Sequence, residues 1–98
     1  MISKNKKRIL RRWFTNIARN IRGNDSDLLN STEDVVDAFK AVGINITWDT
    51  AFSQFYDKTI ASDYYTLKGN FSVRLFADWY MNLAEHLIRE NILCPAIK

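Results

Sequence analysis

From Ser72 to about residue 91, Val73, Phe76, Trp79/Tyr80, Leu83, Leu87 and Ile88 recur every three or four positions, the period of one buried helix face. Leu75, Ala84 and Ile92 widen that face beyond the needs of a surface helix, so the segment reads as the central packing helix. The same rhythm appears three more times. Ile9/Leu10, Trp13/Phe14, Ile17 and Ile21 mark a helix over about 4–21; Val35, Val36, Phe39 and Val42 mark one over about 32–42; Trp48, Ala51, Phe52, Phe55 and Tyr56 mark one over about 48–59. With 98 residues there is length for one core and none for a second domain. The expected fold is all-α, a small single-domain bundle of about four helices spanning 1–98, its final helix touching at least two others.

Punctuation residues set the expected boundaries. Ser3, Ser31, Thr47 and Ser72 can each accept from free backbone N–H groups at a helix start, and Glu33 and Asp34 favour the positive pole after Ser31. Gly23 and the polar run Asn24 to Asp27 predict the stop of the first helix, and Gly43 the stop of the second. Residues 23–31 then read as a polar connection pinned to the core by Leu28 and Leu29. Ile44-Asn45-Ile46 alternates too briefly to define a strand. Residues 61–70 lose the helical rhythm and end in Lys68-Gly69-Asn70, which predicts a turn with a short extended segment or hairpin. Pro95 ends the last helix and biases Cys94 toward an extended backbone.

Charge is divided unevenly along the chain. Residues 1–22 hold eight bases and no acid, whereas residues 23–98 hold six bases against eleven acids, so a formal net charge of +3 conceals segments of +8 and −5. Such a helix either meets an external polyanion or lies against the acidic body.

Several classes of activity lack their equipment. One cysteine, Cys94, forms no internal disulfide or cysteine-rich zinc site, and one histidine, His86, does not supply the convergent ligands a metal needs. Gly23, Gly43 and Gly69 are too far apart for a phosphate-cradling loop. The acid pairs Asp34/Asp37 and Glu85/Glu90 read as solvated faces. No enzyme, cofactor or metal is therefore expected. The apolar positions near the N-terminus are broken by arginine and asparagine, and no long apolar run follows, so neither a secretory leader nor integral membrane association is expected and a cytoplasmic location is. The triplets Asn30-Ser31-Thr32, Asn45-Ile46-Thr47 and Asn70-Phe71-Ser72 match the glycosylation pattern but read as turn and capping residues.

Two functional readings remain. In the first, a small non-enzymatic regulatory protein binds DNA or RNA through Lys6, Lys7, Arg8, Arg11, Arg12 and Arg19, which contact phosphates while the apolar stripe docks to the body. Residues 33–58 have the outline of a helix-turn-helix with Asp49, Thr50, Gln54 and Lys58 as polar readers. Trp48, Phe52, Phe55 and Tyr56 make ordinary core packing the better account of that segment. In the second, an inhibitor or adaptor engages a larger protein through basic and aromatic surface, with Trp13, Phe14, Tyr64 and Tyr65 as anchors. A homodimer is compatible with either.

Overall fold

A computed structural model describes residues 2–21, 25–61 and 72–93. Four helices account for nearly all of them: α1 over Lys4–Asn20, α2 over Asp25–Ala41, α3 from Trp48 to Ala61, and α4 over Val73–Arg89. No β-strand occurs among the described residues, although Ile44 forms an isolated bridge. The all-α bundle is as expected. The hairpin anticipated near 61–70, the stop at Gly23 and the Cys94-Pro95 tail lie outside the described residues.

Capping explains three of the four starts. Ser3 accepts from the Lys6 N–H at 3.3 Å, Thr47 from the Thr50 N–H at 3.1 Å, and Ser72 from the Leu75 N–H at 3.3 Å, each satisfying one donor that has no partner within its helix. The fourth start differs from expectation. α2 begins at Asp25, so the polar connection assigned to 23–31 is largely its first two turns. Ser31 is not a cap but a buried mid-helix residue whose hydroxyl donates back to the Asp27 carbonyl at 2.8 Å. Acidic and hydroxylated residues suit both a loop and the positive pole of a helix, and composition alone does not separate the two. Leu29 faces solvent rather than pinning a loop.

α2 ends at a paired-carbonyl stop. The Gly43 N–H donates to the Lys40 carbonyl at 3.0 Å and the Ile44 N–H to the Phe39 carbonyl at 2.9 Å, with Gly43 at φ +80°. Ile44 and Phe39 are both buried, as this motif favours. α4 ends the same way with Asn91 at φ 61° in glycine's place, the Ile92 N–H donating to the Leu87 carbonyl at 2.9 Å.

α3 is not uniform. An α turn, Trp48–Ala51, passes into a π turn, Phe52–Tyr56, and returns to α geometry over Asp57–Ala61; the Asp57 N–H reaches back five residues to the Phe52 carbonyl. Ala51, Phe55 and Thr59 face the core. Trp48, Phe52 and Tyr56 lie beside that line and stack on one another, with centroids 5.0 and 4.6 Å apart and planes inclined by 22° in both pairs. Trp48 is 43% exposed, so the expectation that all four rings are core holds fully for Phe55 alone.

The core is built around one ring from each helix. Phe14 of α1, Phe39 of α2, Phe55 of α3 and Tyr80 of α4 are buried and meet at centroid distances of 5.3 Å for Phe14–Tyr80, 4.9 Å for Phe55–Tyr80, 5.7 Å for Phe39–Phe55 and 6.0 Å for Phe14–Phe39. The steeply inclined pairs among them place ring edges against ring faces, the favourable quadrupole arrangement. α4 thus touches both α1 and α3, as its wide apolar face implies, although Leu75 and Ile92 turn outward. Beneath the rings, the Thr59 hydroxyl donates to the Phe55 carbonyl, so the 2.9 Å contact between Thr59 and the Tyr80 hydroxyl has Tyr80 as its donor. Burial pushes the Tyr80 phenol pKa well above its usual value. Tyr80 is a neutral, structural hydroxyl.

Candidate nucleic-acid interface

The basic helix lies inside the bundle rather than hanging from it, because α1 packs against both α2 and α4. Leu10, Phe14, Ile17 and Ala18 are its buried side. An α-helix turns about 100° per residue, which carries Arg8, Arg12 and Arg19 to within about 40° of each other on the opposite side. All three are exposed and have no ion pair among the described residues. At about 1.5 Å of rise per residue they span roughly 16 Å. α1 contains no acid anywhere along its length.

Two of the remaining bases are turned toward the body. Lys7 pairs with Glu85 at 3.3 Å, and Arg11 forms an ion pair with Asp78, both acids standing on α4. The partners descend along α1 as they ascend along α4, so the two helices run antiparallel. Both pairs are partly exposed to solvent and contribute little to stability. Lys6 is exposed near the start of α1 and unpaired among the described residues. The acidic body therefore takes up part of the positive helix, and the ridge of Arg8, Arg12 and Arg19 stays open.

Between α1 and the first turns of α4 runs an open groove of about 600 Å³ lined by Arg11, Thr15, Arg19, Val73, Arg74, Ala77 and Asp78. Arg74 was not legible as part of this surface. It is one of six bases outside the basic segment, and the antiparallel packing places it on the same groove as Arg19.

The aromatic anchors separate. Phe14 is fully buried at the centre of the four-ring core, so it is unavailable to a partner; the fold consumes it. Trp13 is half-buried against the core, and Tyr64 and Tyr65 lie outside the described residues. Among the described residues the exposed ring of α3 is Trp48, stacked on the half-buried Phe52, which stacks in turn on the half-buried Tyr56, a set whose spacing reads as interior. α3 presents Asp49, Ser53, Asp57 and Lys58 to solvent, and two carboxylates on such a face repel phosphate, which disfavours it as a groove-reading helix.

His86 is exposed in the last turn of α4. No three His, Cys, Asp or Glu side chains gather as a metal site among the described residues. No described helix is long and apolar enough to cross a membrane. Comparison with family models, with curated proteins and with solved structures found no match.

Proposed function

We propose that this chain is a small non-enzymatic regulatory protein that binds nucleic acid through the outer face of α1. The observation that carries the reading is the ridge of Arg8, Arg12 and Arg19: three exposed guanidinium groups, with no ion pair among the described residues, on one side of a helix whose other side is locked into the core. Guanidinium groups donate in a planar fork that matches phosphate oxygens. Successive phosphates of one strand advance by about 3.4 Å along a duplex axis, so a ridge of roughly 16 Å gives each arginine its own phosphate. The contacts are to backbone, and the affinity they supply is independent of sequence. DNA and RNA share that chemistry. A cytoplasmic location accords with this reading.

The test is binding of the full chain to short labelled DNA and RNA by fluorescence anisotropy, with Arg8→Gln/Arg12→Gln/Arg19→Gln as the variant. Each lost phosphate contact costs roughly eightfold at about 0.1 M salt, so the triple variant loses affinity about 500-fold if all three arginines engage. Lys7→Gln, which removes a base already paired with Glu85, costs much less. Equal binding by wild type and triple variant refutes the proposal.

A second reading, a protein-binding inhibitor or adaptor, rests on Trp48, whose exposed indole stacked on Phe52 has the character of an interface anchor. It requires Trp48→Ser to abolish capture of a protein partner while oligonucleotide binding stays unchanged.

A further inference from the structure

The seam between α1 and α4 changes character along its length. Toward the start of α1, its rungs are opposite charges, Lys7 with Glu85 and then Arg11 with Asp78. Further along α1 the pattern breaks: Arg19 of α1 and Arg74 of α4 line one groove with Thr15, and neither guanidinium pairs with an acid among the described residues. Like charges that share a groove repel, and an anion seated between them removes that repulsion and takes their hydrogen bonds. The single acid in the groove, Asp78, is already engaged by Arg11.

We infer that this groove is a phosphate-binding site in which Arg19 and Arg74 clamp one phosphodiester of a bound nucleic acid, with Thr15 as a neutral donor. The inference rests on the proposed nucleic-acid binding and deepens it. It places a contact on a second helix, so the bound strand runs from the α1 ridge into the α1–α4 groove. Arg19 belongs to both, which fixes where ridge and groove join. Asp78 opposes the anion, and by holding Arg11 it keeps a third guanidinium from contributing fully.

The experiment compares wild type, Arg74→Ala and Arg89→Ala of the full chain on the same labelled duplex over a salt series, with folding checked by circular dichroism. Arg89 is the matched control, an exposed arginine at the far end of α4 with no ion pair among the described residues. Arg74→Ala is expected to weaken binding roughly eightfold at about 0.1 M salt and to flatten the slope of log K against log salt by about 0.9. Arg89→Ala is expected to change affinity less than about twofold, as a remote screened charge does. Asp78→Asn, which frees Arg11, is expected to tighten binding and steepen the slope. Wild type that binds while Arg74→Ala and Arg89→Ala behave alike overturns the groove and leaves the α1 ridge standing. Wild type that fails to bind even at low salt overturns the nucleic-acid reading itself, and the groove with it.

Discussion

Thr59 and Tyr80 form a cross-helix polar contact in the core, and their replacement tests how that core is held. Both are essentially sealed from water, at 0% and 1% exposure, and their oxygens are 2.9 Å apart. Tyr80→Phe removes the donor but leaves the Thr59 hydroxyl donating to the Phe55 carbonyl, so its cost is that of one ordinary hydrogen bond, about 1 kcal/mol. Thr59→Val keeps the shape but strands the phenol of Tyr80 in the core and takes a donor from the Phe55 carbonyl, for about 2–3 kcal/mol. In the double variant the stranded phenol is gone, so the total falls short of the sum by about 1 kcal/mol or more. For a domain of this size 1 kcal/mol corresponds to roughly 4–8 °C in Tm. Urea unfolding followed by far-ultraviolet circular dichroism measures all four corners of the cycle, and an unchanged slope against denaturant confirms that stability alone has moved. Strict additivity, or Tyr80→Phe costing more than Thr59→Val, refutes the assigned direction of the hydrogen bond.

Further expectations concern single sites. Thr32 is buried on α2 with its hydroxyl unpartnered among the described residues, so Thr32→Val, nearly isosteric, should raise stability by about 1 kcal/mol in the same urea experiment. Partial burial, with Asp37 and Glu33 alongside, pushes the Asp34 carboxyl pKa up. A carboxyl raised on folding favours the folded state when protonated, and that benefit is lost as pH rises through its folded value. Asp34→Asn should therefore raise Tm at neutral pH, with the gain shrinking as acidification passes through the raised folded value and gone once pH is below the usual carboxylate range; a gain that grows in acid contradicts the assignment.

Much of this fold was legible because its apolar residues keep strict helical spacing. The stripe through Leu10, Phe14 and Ile17 and the one through Phe76, Tyr80 and Leu87 describe the buried sides of α1 and α4 directly. Local chemistry marked Ser3, Thr47, Gly43 and Ser72. It failed at Ser31, where the residues of a helix start are also those of a polar mid-helix turn, and tertiary packing decided between them. It failed again at Trp48, Phe52 and Tyr56. Residues 48, 51, 52, 55, 56 and 59 form one broad stripe, and the register that aims Ala51, Phe55 and Thr59 inward leaves the other three to stack along its edge, Phe52 and Tyr56 half-buried and Trp48 exposed.

The candidate site was legible only as a run of charge. Sequence placed eight bases in residues 1–22, but it did not show which of them the body would take. That division depends on α4 lying antiparallel to α1, which brings Asp78 and Glu85 to Arg11 and Lys7 and brings Arg74 to Arg19. None of those pairings leaves a trace in local spacing. Phe14 shows the converse: an aromatic residue in a basic helix suggests an anchor until the core is seen to need it.

Nucleic-acid binding is proposed to rest on a folded ridge of arginines that have no ion pair among the described residues. Its most direct test is the salt dependence of oligonucleotide binding by wild type and by Arg8→Gln/Arg12→Gln/Arg19→Gln, measured side by side. Three phosphate contacts on duplex DNA give a slope of about −2.7 in log K against log salt, steeper if the groove adds its own, and the triple variant should lose about that amount. A wild-type slope near zero, or one that the triple substitution leaves unchanged, contradicts the account.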